Sequence, residues 1–242
     1  MTELSSAAAA PDDLWALRAL GGAARLQQWM FSLLRPTQVG PALEIGSGIG
    51  TFSELLLEFG MAPLLLVEPE PACTEELARR FGGRDDVTIV AETLPGSEAV
   101  RARAGFFRYA LCQNVLEHID DDEAALAEIA AALGPGGELA LLVPAHPALF
   151  GRLDRRFGHR RRYTRERLLA LVAAAGLETV DVRSFNLLGV PGWWIAGRTR
   201  LLDMTDRSLA AFDALVPLAR PLEDVLRPRL GLSLIVRARR PA

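Results

Sequence analysis

The stretch Ala-Leu-Glu-Ile-Gly-Ser-Gly-Ile-Gly at residues 42–50 places three glycines at alternate positions directly after an apolar run. The glycines are Gly46, Gly48 and Gly50, and a carboxylate, Glu44, precedes them. In an open α/β sheet, ligands bind outside the carboxyl ends of the strands, close to the loop between the first strand and the first helix. Glycines there let a ligand approach bare backbone and allow positive φ angles. The stretch therefore predicts an α/β fold with a nucleotide-like ligand at this loop.

The spacing of the glycines distinguishes between classes of nucleotide. The dinucleotide pattern G-x-G-x-x-G, counted from Gly46, requires a glycine where this chain has Thr51. A carboxylate at Glu44 would repel a pyrophosphate and attract a cation, whereas a phosphate-binding helix N-terminus gains from having no competing acid. A P-loop is excluded because no G-K-[S/T] follows. A nicotinamide-dependent oxidoreductase is therefore a less favoured alternative.

Strand-like and helix-like segments alternate over the first 145 residues, which indicates a parallel sheet with helices on both faces. Seven strands are predicted, at 42–45, 63–71, 86–92, 107–116, 138–145, 178–186 and 231–239. Helices are predicted at 12–35 (interrupted at Gly21-Gly22 and ended by Pro36), 51–60, 72–82, 120–137, 164–176 and about 208–219. The stretch 190–228 is too long for a loop without structure, so we interpret it as an insertion.

The composition restricts the class of protein. The chain has 242 residues, of which 50% are hydrophobic, which suits one domain with one core. No apolar run is long enough to span a membrane, and the N-terminal segment carries acids where a signal peptide carries basic residues. The two cysteines do not suggest a disulfide framework and fit a reducing cytoplasm. The chain has no lysine, which excludes lysine chemistry, and its net charge of −3 argues against general nucleic-acid binding.

The stretch Leu-Glu-Ile-Gly-Ser-Gly-Ile-Gly-Thr-Phe, at 43–52, resembles the first motif (E/D-x-G-x-G-x-G) of class I S-adenosylmethionine-dependent methyltransferases. Segments in register with later motifs of that family are 64–71, 87–95, 109–119 and 133–144, and the resemblance covers about residues 40–185. The segment 158–164, Gly-His-Arg-Arg-Arg-Tyr-Thr, is similar to a broad subfamily that acts mainly on small molecules. The resemblance implies a Rossmann-like, doubly wound, mostly parallel seven-stranded sheet with helices on both faces and an antiparallel last strand. It also implies an enzyme that uses S-adenosylmethionine and releases S-adenosylhomocysteine.

The same resemblance assigns residues to the cofactor. It implies that Glu68 holds the ribose hydroxyls and that Glu92, with Thr93 beside it, contacts the adenine. The implied cofactor-binding residues are Glu44, Gly46, Ser47, Gly48, Gly50, Glu68, Pro69, Glu92, Thr93, Gln113 and Asn114. The chemistry agrees, because the cofactor is a sulfonium cation without phosphates, and one ionised carboxylate can accept two hydrogen bonds from a ribose diol.

Methyl transfer requires the nucleophile, the methyl group and the sulfur to lie nearly in line, and a general base helps a nucleophile of high pKa. The three histidines of the chain, His118, His146 and His159, all follow the fourth and fifth predicted strands. We predict that His146, His159 and Tyr163 are catalytic, as bases or as ligands of the acceptor. His118, in the predicted first turn of a helix, either binds the acceptor or hydrogen-bonds to nearby backbone.

Arginines and tryptophans provide further acceptor-binding candidates. Residues 152–167 include eight arginines interleaved with aromatic residues. Most of these arginines are expected on a solvated surface, but Arg160 and Arg162 are predicted to hold an anionic acceptor. Trp193 and Trp194 cannot easily point the same way, so they are predicted to pack in the core or to wall an apolar acceptor pocket. Contact of these tryptophans with a lipid surface is less favoured.

Residues 1–242 are predicted to form a single methyltransferase domain for a small-molecule acceptor, working as a monomer or homodimer. Its predicted parts are a helical cap (12–36), a cofactor-binding core (37–185), lid segments that form the acceptor site (150–163 and 190–228) and a closing strand (229–240). No metal is expected, since the acids at 119–123 complement a helix dipole. The alternatives are a non-catalytic cofactor-binding protein and a nucleic-acid methyltransferase, for which Cys-Gln-Asn-Val at 112–115 replaces the expected Asn-Pro-Pro-Tyr-like motif.

Overall fold

The computed structural model describes residues 17–199 and 205–242. The strands are β1 (Ala42–Ile45), β2 (Leu64–Val67), β3 (Val87–Val90), β4 (Phe107–Gln113), β5 (Leu133–Pro144), β6 (Glu178–Phe185) and β7 (Ser233–Arg239). They form one sheet in the order β3-β2-β1-β4-β5-β7-β6. Strands β1 to β5 pair in parallel, and β7 pairs antiparallel with both β5 and β6. The predicted fold class, including the antiparallel last strand, is confirmed.

Helices flank this sheet. They are α1 (Ala24–Leu34), α2 (Thr51–Phe59), α3 (Pro71–Phe81), α4 (Glu98–Arg101), α5 (Asp122–Ala132), α6 (Arg152–Arg156), α7 (Arg165–Ala174), α8 (Gly189–Arg198) and α9 (Asp206–Leu226). Two short 3-10 turns, Leu116–His118 and Pro147–Leu149, follow β4 and β5. Parts of the predicted cap and insertion, residues 12–16 and 200–204, lie outside the described residues.

The central strands are short and apolar because both of their faces are covered. Every residue of β1 and β2 is buried, as continuous apolar runs in a parallel sheet require. The strand order reverses beside β1, which pairs with β2 on one edge and with β4 on the other. This reversal opens a crevice at the carboxyl ends of β1 and β4, where ligands bind in folds of this type.

Several boundaries differ from the sequence-based prediction. Helix α5 ends at Ala132, although the predicted helix extended to residue 137, and the Gly-Pro-Gly-Gly run at 134–137 lies inside β5. A Cβ at Gly134 would lie 2.9 Å from the carbonyl oxygen of Gly105, so the close approach of two backbones explains this glycine. Helices α4 and α6 were not predicted, because four or five residues carry too little periodicity.

The C-terminal helix α9 is longer than predicted and contacts the N-terminal cap. Asp213 of α9 accepts a hydrogen bond from the backbone N–H of Leu26 at 2.8 Å. At the other end of α9, Glu223 accepts hydrogen bonds from the backbone N–H groups of Asn186 and Leu187. Both carboxylates are largely buried, so α9 joins α1 to the segment that follows β6.

Candidate functional site

One cavity of about 800 Å³ opens at the carboxyl ends of β1, β2 and β4. The predicted cofactor residues that line it are Glu44, Gly46, Ser47, Gly48, Glu68, Pro69, Gln113 and Asn114. The predicted acceptor and catalytic residues that line it are His118, His159, Arg160, Arg162 and Trp193. The cap contributes apolar walls from Leu17, Leu26 and Met30. The volume is within the range of small-molecule sites, and residues from both predicted sets border one space.

The glycine loop has the backbone geometry that its sequence predicts. Gly46, Gly48 and Gly50 all have positive φ, at 69°, 52° and 82°. A Cβ at Gly46 would lie 2.2 Å from a methyl carbon of Val115, so no side chain fits there without movement. Gly50 does not line the cavity, because a Cβ at this position would face Phe81 of α3 at 2.5 Å. Its contribution is to begin α2 in a conformation that favours glycine.

Glu68, directly after β2, is held by two backbone groups. Its carboxylate accepts hydrogen bonds from the N–H of Gly48 at 2.8 Å and the N–H of Glu70 at 3.0 Å. Burial raises the pKa of Glu68, and these two hydrogen bonds oppose the shift. The bonds fix the carboxylate beside the glycine loop, and each oxygen keeps capacity for another donor such as a hydroxyl.

Glu44 lies in the cavity wall, where its surroundings oppose the fixed negative charge that the sequence-based argument assumed. Its carboxylate is buried and accepts a hydrogen bond from the hydroxyl of Ser53 at 2.5 Å. Burial raises the pKa of Glu44 to about 8 and so favours the neutral acid in the ligand-free protein.

The predicted adenine contact is not placed in this cavity. Neither Glu92 nor Thr93 is among the described residues that line it. The carboxylate of Glu92 accepts hydrogen bonds from the hydroxyl of Ser97 and from the N–H of Ala99 at 3.1 Å. These donors lie at the start of α4, so Glu92 stabilises the end of a helix that was not predicted.

Two polar side chains at the end of β4 face the middle of the site. Gln113 and Asn114 both line the cavity. The side-chain oxygen of Gln113 is buried and accepts no hydrogen bond. Asn114 has a φ of 51°, a left-handed conformation that asparagine tolerates better than most residues. A polar ligand would provide the donor that Gln113 lacks.

Asp154 organises the other end of the cavity. This buried carboxylate accepts hydrogen bonds from Nε of Arg162 at 2.7 Å, the N–H of Gly151 at 2.9 Å and Nε1 of Trp193 at 3.3 Å, and its Oδ1 lies 3.0 Å from Nδ1 of His159. Burial favours the neutral acid, but the hydrogen bond from His159 and the charge of Arg162 outweigh it and lower the pKa of Asp154. Because an ionised carboxylate only accepts, Nδ1 of His159 is the donor, which leaves Nε2 available to another partner.

His118 and Glu117 lie against His159. The rings of His118 and His159 meet edge to face, with centroids 5.0 Å apart. Although the His118 ring is exposed to the cavity, loss of hydration lowers its pKa to about 4, and the neighbouring His159 adds to this effect. Glu117 is fully buried, neither carboxylate oxygen has a hydrogen-bond partner, and burial raises its pKa to about 8. The sequence predicted His118 in the first turn of a helix. The structure instead places it at the end of the 3-10 turn after β4, before α5 begins.

The structure does not support a catalytic role for Tyr163 or His146. The Tyr163 side chain is completely buried, and its hydroxyl donates to Oδ2 of Asp122 at 2.9 Å and lies 3.1 Å from the carbonyl oxygen of Leu116. Its aromatic ring packs in the core under the sheet. Neither Tyr163 nor His146 is among the described residues that line the cavity. Both follow β5, but chain position alone does not determine where a side chain points.

The predicted arginines are already paired. Arg162 is buried and binds Asp154 and the carbonyl oxygen of Ala145. Arg160 donates through Nε to the carbonyl oxygen of His118 at 2.8 Å and forms an ion pair with Asp120. Both therefore hold the wall of the cavity together.

The two tryptophans point in different directions, as predicted. Trp193 lines the cavity and stacks near Arg162, whose guanidinium carbon lies 4.9 Å from its ring centroid. Trp194 is 48% exposed, and the guanidinium of Arg198 lies 4.8 Å from its ring centroid. Trp193 is therefore the one placed to contact a ligand.

Two residues of the site, Asp154 and Glu117, were not among those predicted. Asp154 is one of only two acids among the eight arginines of the run 152–167, and so few acids among so many cations are a signal of an ion pair. No comparable pattern marks Glu117. The acids that follow it have structural roles: Asp121 caps α5, and Asp122 pairs with Arg161 and Arg167.

Comparison with known families identifies the fold and the glycine loop together. A family model described as a methyltransferase domain matches residues 23–182. The chain belongs to this methyltransferase family. Membership confirms the resemblance drawn from the first motif, and with it S-adenosylmethionine as the cofactor of the family. The residues present fit that cofactor. The glycine loop exposes backbone next to the Glu68 carboxylate, which the N–H of Gly48 holds in place, and the side-chain oxygen of Gln113 has no hydrogen-bond partner.

Individual relatives are distant. A ubiquinone biosynthesis O-methyltransferase from Bordetella avium (strain 197N) is 26% identical over 110 residues, which are 46% of this chain and 45% of that protein. The chain thus matches less than half the length of this curated relative. A solved 1,6-didemethyltoxoflavin-N1-methyltransferase from Burkholderia thailandensis, with bound 1,6-didemethyltoxoflavin and S-adenosylhomocysteine, has a TM-score of 0.57 at 24% identity and covers 96% of this chain and 82% of its own. The [4+2]-cyclase SpnF has a TM-score of 0.58 at 19% identity, over 90% of this chain and 81% of its own.

One finding concerns membranes. Within residues 17–199 and 205–242, the helices are too short or too polar to cross a lipid bilayer.

Proposed function

We propose that this protein transfers a methyl group from S-adenosylmethionine to a small molecule. The observation that carries the proposal is the single cavity that joins the glycine loop and Glu68 to the His118, His159 and Trp193 end. A donor at one end and an acceptor at the other would share one enclosed space. Such an arrangement lets positioning supply much of the rate of an in-line displacement.

The cofactor end of the proposal rests on residues that the structure brings together. Glu68 accepts hydrogen bonds from the ribose hydroxyls of the cofactor, since backbone donors fix its carboxylate and leave lone pairs for further donors. Gly46 and Gly48 allow close approach of the ligand to the loop, and Gln113 gains a partner for its buried oxygen. Glu92 and Thr93 are not part of the proposal, because they lie away from the cavity.

At the acceptor end, the predicted lid segments contribute to the walls through residues 155–160, Arg162 and Trp193. His159, with Nε2 directed away from Asp154, contacts the acceptor as a base or as a ligand. His118 adds a polar ring and Trp193 an apolar ring to the wall of this part of the cavity. In the transfer, the carbon–sulfur bond breaks as the acceptor atom supplies an electron pair to the methyl carbon, and the sulfur leaves as a thioether.

The names of the relatives support a small-molecule acceptor and not a particular atom. One relative is named for O-methyl transfer in ubiquinone biosynthesis and one for N1-methyl transfer to 1,6-didemethyltoxoflavin. The proposal therefore stays at the level of a small-molecule acceptor. Net charge −3 and two buried free cysteines fit an acceptor other than nucleic acid and a reducing cytoplasm. We expect a monomer or homodimer, and contact with a membrane surface remains the less favoured interpretation.

Thermal unfolding with and without ligands tests the cofactor. A ligand at about a hundred times its Kd stabilises the folded protein by about 2.7 kcal/mol, which raises Tm by roughly 5–10 °C for a chain of this size. We expect this rise with S-adenosylmethionine and S-adenosylhomocysteine and no rise with NAD. A rise with NAD alone, or with none of the three, would contradict the assignment of the glycine loop.

A second experiment tests transfer and the acceptor end. Small molecules are screened for release of S-adenosylhomocysteine, with a methyl-labelled cofactor to follow the product. Trp193→Phe should raise KM for the acceptor found, and Trp194→Phe, its exposed neighbour, should leave KM unchanged. Equal effects of both variants would contradict the placement of the acceptor.

A second candidate function is binding of S-adenosylmethionine without methyl transfer. It is kept because the [4+2]-cyclase SpnF shares this fold and fold does not determine reaction. This alternative predicts the same thermal stabilisation by both forms of the cofactor, but no labelled methyl group on any molecule in the screen.

A further inference from the structure

Glu117, His118 and His159 form a cluster at the acceptor end of the cavity. One potential ligand atom from each residue lies within 4.8 Å of those of the other two. Nε2 of His159 and Oε1 of Glu117 are 3.9 Å apart. Two ligands of a tetrahedral zinc ion, each at about 2.1 Å, lie about 3.4 Å apart, so this pair needs to close by about 0.5 Å to share an ion. The ligand nitrogen of His118, a residue exposed to the cavity, is the third atom of the set.

Glu117 is the observation that points to a bound cation. Its side chain has no exposed surface, and neither carboxylate oxygen has a hydrogen-bond partner. An ionised carboxylate that is buried without a partner is costly, and proteins resolve that cost by protonation, with a counter-charge or with a metal ion. The guanidinium of Arg162, whose charge acts on Glu117, donates to Asp154 and to the carbonyl oxygen of Ala145. Among the described residues, none therefore donates a hydrogen bond to the Glu117 carboxylate.

His159 is already oriented as a metal ligand. Metal-binding histidines almost always donate their second ring N–H to a carboxylate or carbonyl, which fixes the tautomer and aims the other nitrogen at the metal. Nδ1 of His159 donates to Asp154 at 3.0 Å, and Asp154 is in turn held by Arg162 and the backbone of Gly151. This second layer leaves Nε2 facing Glu117.

We infer that Glu117, His118 and His159 bind one divalent transition-metal ion at the acceptor end of the cavity. Two imidazoles and one carboxylate are ligands that suit zinc, cobalt or iron, whereas magnesium and calcium prefer oxygen ligands. Three protein ligands leave at least one coordination position open toward the cavity. Resting on the proposed function, this open position, and not Nε2 of His159, would contact the acceptor through one of its oxygens, so the acceptor class would be molecules with a metal-binding hydroxyl or adjacent oxygens.

The cluster is distinct from the acids at 119–123, and a metal there departs from the sequence-based expectation that the protein binds no metal. Its members come from the turn after β4 and from the arginine-rich segment 152–167, which are 41 residues apart between His118 and His159. No local spacing therefore marks it in the sequence. Only the packing of the segment 152–167 over the end of β4 brings these residues together.

The test is direct metal binding by the full-length protein, prepared metal-free and without a histidine tag. Zinc is titrated by calorimetry, and cobalt by visible absorption, which reports nitrogen ligands and coordination number. We expect one ion per chain. Glu117→Gln, His118→Ala and His159→Ala should each weaken binding more than about tenfold. His146→Ala is the matched control, because the third histidine lies outside both the cluster and the cavity.

Two results would overturn the inference: absence of one-to-one binding of either metal, or affinity unchanged in all three cluster variants. If Glu117→Gln fails to fold, His118→Ala decides, since the exposed His118 ring can be removed without opening the core. Binding is measured without cofactor or acceptor, so its outcome is independent of methyl transfer. Thermal stabilisation by S-adenosylhomocysteine without metal binding contradicts the metal site alone, and the reverse result contradicts the proposed function alone.

Discussion

Substitution of Gly46 by alanine tests whether the glycine loop is shaped by backbone conformation alone or also by contact with Val115. An alanine at a φ of 69° costs about 1–2 kcal/mol for its left-handed conformation. Its Cβ would also lie 2.2 Å from a methyl carbon of Val115, and relief of such overpacking costs about 1–3 kcal/mol. The sum is about 2–5 kcal/mol. At roughly 2–4 °C per kcal/mol for a domain of this size, Tm should fall by about 4–20 °C.

Gly105 provides the matched control. It has nearly the same φ, 71°, and a Cβ there meets nothing within 4 Å. Gly105→Ala should therefore lose only the conformational part, about 1–2 kcal/mol. Adding Val115→Ala should restore the difference between the two glycine variants. Chemical denaturation of the parent protein, the two glycine variants, Val115→Ala alone and the Gly46→Ala/Val115→Ala double variant measures the free energies. Equal losses for Gly46→Ala and Gly105→Ala, or no relief from Val115→Ala, would refute the steric argument.

Three further predictions concern buried polar groups. Burial raises the pKa of Glu44 from 4.5 to about 8, so the folded state keeps a proton that the unfolded state loses between these pH values, and the free energy of unfolding should fall as pH rises across that window. Urea denaturation at pH 5, 6.5 and 8 should show a smaller fall for Glu44→Gln. An unchanged pH dependence in this variant would contradict burial of Glu44 as its cause. Tyr163→Phe removes a hydrogen bond to the Asp122 carboxylate and should cost about 1.5–3 kcal/mol while the folded enzyme keeps its turnover; lost turnover at unchanged stability would instead favour catalysis by Tyr163. Asp213→Ala leaves the N–H of Leu26 without its partner, so limited proteolysis should cut the cap faster than in the parent protein, and equal rates would show that α9 does not hold it.

The elements that the sequence predicted well are those whose signal is local. Continuous apolar runs predicted β1 and β2, and the helix predicted from residue 164 is α7, at whose start the hydroxyl of Thr164 accepts a hydrogen bond from the N–H of Arg167. The glycine loop was predictable because its spacing encodes positive φ angles. The predicted helix 120–137 wrongly included the Gly-Pro-Gly-Gly run at 134–137, which lies in β5. Glycine is found where two strands approach closely as well as in turns.

The acceptor end could not be predicted to the same depth, because its contacts join segments far apart in the chain. Tyr163 and His146 follow β5 in sequence, yet the ring of Tyr163 is drawn into the core and its hydroxyl to Asp122. Arg162 was predicted to bind a ligand and instead neutralises Asp154. Which of several arginines turns inward depends on where the single buried acid lies, and a one-dimensional charge pattern does not contain that information.

The dependence on Asp154 has a consequence for how this site can vary. Its four donors come from the backbone of Gly151 and from His159, Arg162 and Trp193, so one carboxylate joins the segment before α6, the segment after it and α8. Loss of Asp154 would leave the buried Arg162 charge uncompensated, and such losses cost several kcal/mol. A change of acceptor is therefore easier through side chains that line the cavity without binding Asp154, such as Phe157. The Asp154 carboxylate holds the three segments in place, and lining residues that do not bind it can be substituted without loss of these contacts.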